Sequence, residues 1–389
     1  LTRFIFSTGT ARGGTNLITK IISVSESAHL ASDPYLALLK YLRMDFLNQH
    51  TKTDITPNDP LPDYYYEENK LPLLDLMMKG GGAPLFDLAN LTNLIDQIKI
   101  RASVSTPLLI PYLNQLSGSN YQELISSAIL CIGKAFNKVN PSCLGFNENW
   151  AIELFPLLAD MFPQSKFIIV IRDPRASISS ALKQKDKTKM IQVSSFVRGW
   201  RKNVALMKFY QLDPRFKDRL YICNYEKFVE NSTTLIKDLC SFVEVKFSDK
   251  MLDSKNYLDG SGNQWKGNSY AHEKAPSGIY KDSINIWEQQ LSQEIAESIE
   301  FLAYPELKSL GYKPLHYHNF PSNQVCQFLQ KDFLTHSSWK NTKGTASEEI
   351  KHEVFRNFMI DSKNATFPDI DIRRYFLFKN VFEELKGNE

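Results

Sequence analysis

Cysteine is scarce in this chain of 389 residues and poorly spaced for any covalent framework. Cys131, Cys143, Cys223, Cys240 and Cys326 are odd in number and form no CxxC pair, which argues against both a disulfide scaffold and a zinc ribbon. They read instead as small buried hydrophobes. No apolar run reaches the ~18 residues of a membrane span, and no leader peptide is visible. A cytoplasmic location is therefore expected. Because the chain opens on Leu1 rather than Met, removal of an upstream anchor would make the Golgi lumen the alternative. Excess charge is also missing: 46 basic residues against 43 acidic ones leave +3, which argues against broad nucleic-acid binding but not against a local basic pocket. There is no internal repeat.

What is present is ordinary globular composition, 43% hydrophobic and 23% charged, with enough aliphatics for a large core. The first informative stretch is at the start. The apolar run Phe4-Ile5-Phe6, the turn Gly9-Thr10-Ala11-Arg12-Gly13-Gly14 and the amphipathic segment from Thr15 read as strand, loop and helix. Such a loop aims backbone N–H groups at one spot, and the helix dipole favours an anion there. Glycines permit close approach of a phosphate, and Arg12 adds a full charge. The nucleoside-triphosphate pattern GxxxxGK[ST] can be laid on positions 9–16, but Thr15 stands where the lysine is required.

Along the chain, Asp33 and Pro34 predict a helix start by cap and proline. Residues 48–84, punctuated by Pro57, Pro60, Pro62, the run Tyr64-Tyr65-Tyr66 and Gly80-Gly81-Gly82, read as an irregular loop segment, either a lid over the acceptor or a linker. Helical patterns follow at 88–99 and 121–137, a strand at 142–146, and a helix at 150–161 that Pro156 should kink. Residues 166–171 form a nearly continuous apolar strand of the kind buried on both faces of a parallel sheet. Helices from 174 and over 194–210, a strand at 220–223 and a helix at 233–243 continue the β/α alternation, which predicts a parallel sheet covered by helices. Residues 252–281 look loop-like, 292–302 helical, and the tail from 317 mainly helical.

The second motif follows strand 166–171. Asp173 and Pro174 predict a helix start, leaving Arg172 at the carboxyl end of a buried strand, where open parallel sheets bind ligands. Ser180, eight residues on, can join the same side. A guanidinium fork with a hydroxyl suits a terminal phosphate. Taken together, Arg12-Gly13-Gly14-Thr15-Asn16 and Arg172 with Ser180 resemble the 5′-phosphosulfate and 3′-phosphate motifs of sulfotransferases that use 3′-phosphoadenosine 5′-phosphosulfate (PAPS). The stretch from Met161 to Phe167, Tyr225-Glu226, and Leu310 to Pro314 resemble the tyrosylprotein branch of that family.

The resemblance implies a P-loop-type three-layer α/β/α fold with a central parallel sheet, in a sulfotransferase domain over 1–318. It also implies a largely helical insertion at about 48–140 on the acceptor side and a C-terminal helical extension over 319–389. It further implies that Gly13, Gly14, Thr15 and Asn16 hold the 5′-phosphosulfate, that Arg12 stabilises developing charge, and that Arg172 and Ser180 select the 3′-phosphate. Tyr225, Lys281 and Ser283 belong to the nucleotide site by the same resemblance. The branch places an acidic base 21 residues after the loop's basic residue, and that position holds Asp33, one methylene shorter than the family's glutamate. Its other reading is a helix cap, with Glu148, His29 or His272 then taking the role of base. Where the branch carries a lysine, this chain has Asn147.

The implied reaction needs no metal, releases adenosine 3′,5′-bisphosphate, and takes a hydroxyl or amine of a small molecule, glycan or peptide as acceptor. No nucleic-acid partner is expected, and a homodimer is compatible. The rivals are a nucleotide or small-molecule kinase with a degenerate loop, and a non-catalytic nucleotide- or glycan-binding module.

Overall fold

A computed structural model describes residues 2–62, 64–183, 191–267, 279, 281–316, 320–335 and 345–387. Five strands, β1 (Arg3–Gly9), β2 (Ala28–Ser32), β3 (Cys143–Asn147), β4 (Lys166–Ile171) and β5 (Leu220–Asn224), form one sheet in the order β2-β3-β1-β4-β5. Every pairing is parallel, with Ser7 opposite Asn147 on one side of β1 and Gly9 opposite Val170 on the other. Parallel strands need crossovers, and the crossovers supply the helices. These are α1 (Thr15–Ser23), α2 (Leu36–His50), α3 (Leu71–Lys79), α4 (Leu91–Ser105), α5 (Tyr121–Ala135), α6 (Phe155–Met161), α7 (Pro174–Leu182) and α8 (Val193–Leu212). After β5 come α9 (Tyr225–Glu230), α10 (Ser232–Val243), α11 (Trp287–Gln290), α12 (Gln293–Ser309), α13 (Asn323–Thr335), α14 (Ala346–Asp361), α15 (Asp369–Phe376) and α16 (Lys379–Gly387).

The chain divides into two compact units. The first contains Leu1–Asn58, Asp75–Ile171 and Tyr210–Lys281, and so holds the whole sheet. Its core is aromatic: Phe6 meets Phe146 edge-on at 5.5 Å and stacks on Phe167 at 5.7 Å, with all three side chains buried. The second contains Asp59–Leu74, Arg172–Phe209 and Asp282–Glu389. There the carboxylate of Asp332 in α13 accepts the N–H groups of Val193 and Ser194, both at 2.8 Å, and so caps α8 from the C-terminal region.

Three local expectations change. The second helix begins at Leu36, not at Pro34, for a reason given below. Pro156 does not kink a helix: residues Ala151–Leu154 form a 3-10 turn and Pro156 sits in the first turn of α6, where its missing N–H costs nothing. The segment read as irregular at 48–84 carries α3, with Leu71, Leu73, Leu74, Met77 and Met78 buried, and Tyr64 and Tyr65 are buried in turn structure. No helix of the described residues is long and apolar enough to cross a membrane.

Candidate functional site

The glycine-rich loop joins β1 to α1 as expected. A Cβ at Gly9 would lie 2.7 Å from the Val170 carbonyl oxygen, so the strand needs glycine there to pass its neighbour. Gly14 caps α1 in the left-handed region (φ 91), and a Cβ on it would stand 2.2 Å from the Tyr225 ring. Tyr225, named from sequence for the nucleotide site, thus lies directly over the loop. Arg12 is also left-handed (φ 63). The Gly13 amide closes the turn on the Thr10 carbonyl at 3.0 Å.

Two features fit an anion. The N-terminus of α1 receives no side-chain cap, which leaves its first-turn amides to be satisfied from outside. Thr10 Oγ1 is buried without a hydrogen-bond partner among the described residues. A buried hydroxyl without a partner is costly, and a phosphate oxygen would accept from it.

Asp33 lies at the end of β2, in a conformation fixed from three directions. Its φ is 53, in the left-handed region that non-glycine residues seldom adopt. Its N–H donates to the Asn147 carbonyl at 2.9 Å, and its own carbonyl accepts Arg101 Nε at 3.2 Å and Ser105 Oγ at 3.1 Å, both from α4. Its carboxylate Oδ1 accepts the side-chain amides of Asn147 at 3.2 Å and Asn149 at 3.0 Å. Asn149 in turn accepts Thr15 Oγ1 at 3.2 Å, so one hydrogen-bonded path runs from the first turn of α1 to the carboxylate. Burial raises the Asp33 pKa above the usual carboxylate range, against the pull of Arg101 and the two asparagine amides.

Asp33 does not cap α2. The residue at the cap position is Tyr35, and its N–H donates to Glu148 Oε1, a carboxylate reaching across from the end of β3. Glu148 is buried, and that burial, with Asp33 adding like charge, holds its pKa well above the ordinary value. His29 stacks on Phe136 with ring centroids 3.6 Å apart, and burial, then Lys20 and Lys138, push its pKa well below the usual histidine value. It is a packing residue. His272 lies outside the described residues.

The 3′-phosphate candidates belong to the second unit. Asp173 caps α7 as expected, accepting the Arg175 N–H at 2.8 Å with Pro174 in the first turn. Arg175 is tied back to Asp173 and to Glu300 and lies over the Trp287 ring at 4.1 Å. Arg172 is held by its carbonyl, which accepts Trp200 Nε1 at 2.9 Å, and its Nη2 donates to the Ser283 carbonyl at 2.8 Å. Arg172 and Ser283 are thus in contact, joined in a way that sequence spacing could not show. Ser180 stands on the last turn of α7, and Lys281 is exposed in the turn that ends at Ser283.

Arg101, Ser105 and Asn149 escaped sequence reasoning. The first two are 68 and 72 residues from Asp33 in the chain, inside a segment without a readable motif. Asn149 had one available signal, its place two residues beyond the strand end already in view. Among the described residues, no group of three or more His, Cys, Asp or Glu could hold a metal ion.

The structure thus sets a glycine-rich loop at the end of β1 and a hydrogen-bonded carboxylate at the end of β2 on one parallel sheet. The chain belongs to the sulfotransferase family, whose family model matches residues 5–249. It is 24% identical over 175 residues to protein-tyrosine sulfotransferase 1 of Danio rerio, a match covering 43% of this chain and 47% of that protein. It is 23% identical over 223 residues to a putative protein-tyrosine sulfotransferase of Caenorhabditis elegans, covering 54% of this chain and 81% of that one. The chain thus spans about half the length of the zebrafish relative. Among solved structures, the sulfotransferase domain from the curacin biosynthetic pathway aligns at 16% identity and a TM-score of 0.42, covering 75% of this chain and 93% of that domain.

Proposed function

We propose that this protein is a PAPS-dependent sulfotransferase, moving a sulfonyl group to a hydroxyl or amine. The observation that carries this reading is the path Thr15–Asn149–Asp33, which couples the anion loop to a partly buried carboxylate in one hydrogen-bonded array. PAPS, when bound, supplies an activated sulfonyl group on its 5′-phosphate. The loop from Arg12 to Asn16 holds that end, with Gly14, Thr15 and Asn16 offering first-turn amides and Arg12 offsetting charge that develops on the departing phosphate.

Asp33 takes the acceptor's proton as the acceptor oxygen bonds to sulfur and the bond to the 5′-phosphate breaks. Its raised pKa makes it a better base than an exposed aspartate. Asn147 and Asn149 orient the carboxylate, and Arg101 with Ser105 fix its backbone. Arg172 and Ser180 select the 3′-phosphate, the turn at Lys281 and Ser283 closes on the nucleotide, and Tyr225 seats it on Gly14. The acceptor is a small molecule, glycan or peptide, and the names of the relatives make a tyrosine peptide the first to assay.

The test is titration calorimetry with adenosine 3′,5′-bisphosphate against ATP and magnesium, followed by transfer of radiolabelled sulfate from PAPS to an acceptor library. Tight bisphosphate binding with label transfer supports the proposal. Preference for ATP with magnesium would favour a kinase, and binding without transfer a silent nucleotide-binding module. Arg172→Ala should weaken bisphosphate binding by ~1.5–3 kcal/mol, typical of a lost charge-assisted hydrogen bond, while sparing adenosine 5′-phosphosulfate. Equal losses for both ligands would refute the role given to Arg172.

A further inference from the structure

Asp33, Pro34 and Tyr35 form an Asp-Pro-Xaa sequence, and two others in this chain show what such a sequence does when left to itself. In Asp173-Pro174-Arg175 the aspartate Oδ1 accepts the Arg175 N–H at 2.8 Å, and in Asp213-Pro214-Arg215 the Asp213 Oδ1 accepts the Arg215 N–H at 2.9 Å. Each closes a local turn, the ordinary bond of an Asp side chain to the backbone two residues on. Asp33 does not close one. The Tyr35 N–H donates instead to Glu148 Oε1, from a residue 113 positions away in the chain.

Glu148 is buried, and its backbone is fixed to β1 by two bonds: its N–H donates to the Ser7 carbonyl at 3.0 Å, and its carbonyl accepts Thr8 Oγ1 at 2.8 Å. The residues flanking it, Asn147 and Asn149, are the two whose side-chain amides hold Asp33 Oδ1. Three consecutive residues at the end of β3 thus take both groups that a local turn would have joined. Glu148 takes the Tyr35 N–H, and the asparagines take the Asp33 carboxylate.

We propose that Glu148 is a positioning residue for Asp33: by accepting the Tyr35 N–H it bars the local turn and leaves the Asp33 carboxylate with the asparagines, available to take a proton. The inference rests on the reading of Asp33 as the base. Asn147 and Asn149 are neutral donors, whereas a free Tyr35 N–H would sit at the N-terminus of α2, where the helix dipole favours a carboxylate. Glu148 removes that rival. The charged groups that bear on the two carboxylates are Arg101 on α4, for both, and Lys20 on α1, for Asp33.

The test compares Glu148→Ala with Glu148→Gln in the full chain. The alanine frees the Tyr35 N–H, Asp33 closes the turn, and kcat should fall at least tenfold, toward the roughly 10²–10⁴-fold loss of a missing base. The glutamine keeps an oxygen for that N–H and should rescue kcat to within a few-fold of wild type. Bisphosphate affinity by calorimetry should stay within a few-fold in both. Placed on Asp33→Asn, Glu148→Ala should cost almost nothing further, since both changes remove the same function. The same drop in both backgrounds, or an equal drop in the glutamine variant, overturns the proposal. A second readout needs no turnover: the Asp33 titration followed by carbon-13 NMR of labelled aspartate, assigned with Asp33→Asn. Both variants remove the Glu148 charge, but only the alanine gives Asp33 the helix N-terminus, so the Asp33 pKa should fall further in Glu148→Ala than in Glu148→Gln. Equal values in the two variants overturn the proposal. If the wild-type protein transfers no sulfate while that difference is present, the functional reading fails and the positioning stands. Should the alanine variant not fold, Glu148→Met, which fills the space without offering an oxygen, takes its place.

Discussion

Asp33 is where the demands of chemistry and stability separate. It lies partly buried with a raised pKa. A carboxyl group whose folded pKa is raised stabilises the fold at pH below its unfolded value, and that contribution is lost as pH rises through the folded pKa. At neutral pH its ionised form is therefore a cost, which Asp33→Asn removes while keeping an oxygen to accept from Asn147 and Asn149. The variant should melt at or slightly above the wild-type temperature, bind bisphosphate normally, and lose roughly 10²–10⁴-fold in kcat, as general-base loss does. A kcat within a few-fold of wild type would remove Asp33 from the chemistry. In the wild type, turnover should fall as pH drops through the raised Asp33 pKa. Gly14→Ala tests the loop itself: left-handed backbone costs ~1–2 kcal/mol for a residue with a side chain, and the new methyl meets the Tyr225 ring. Bisphosphate affinity should fall at least tenfold, with partial recovery when Tyr225→Ala opens the space; full affinity in the single variant would show that the loop tolerates a Cβ.

Buried charge joins elements in addition to apolar packing. Glu353 on α14 accepts from Arg198 at 2.9 Å and Arg201 at 2.6 Å on α8, and all three are nearly inaccessible to solvent. Burial alone would raise the Glu353 pKa, but the two guanidinium groups outweigh it and hold it well below the ordinary range. The stability this supplies is present above the unfolded value of about 4.3 and is lost as pH falls toward the folded one. Glu353→Gln leaves two buried cations undercompensated and should cost ~3–5 kcal/mol in urea unfolding. A loss under ~1 kcal/mol would mean the network contributes little. Helix starts show why local reading succeeds or fails at this scale. Asp173 caps α7 because its own chain presents the N–H it needs. Asp33 has the same local sequence form but does not cap, because Glu148 reaches the Tyr35 N–H first and the Asp33 side chain is taken by two asparagines.

At the scale of the whole molecule, a ligand that binds only the folded chain stabilises it by mass action. Adenosine 3′,5′-bisphosphate at a hundredfold over its Kd should add ~2.7 kcal/mol and raise the melting temperature, whereas ATP with magnesium at the same concentration should add much less. The reverse ranking would overturn the nucleotide assignment.

Apolar runs, glycine turns and helix starts are short-range signals, and from them the sequence alone determined the parallel β/α order, the strand 166–171, the loop at 9–14 and the α7 cap. The contacts that define the candidate site are of another kind. Asp33 meets α4 through Arg101 and Ser105 and the end of β3 through Asn147 and Asn149, and Arg172 meets Ser283 across 111 residues of chain. No local pattern encodes such pairs, because each depends on where crossovers bring strand ends and distant turns. Whether Asp33 caps α2 was decided only when the folded chain placed Glu148 beside Tyr35.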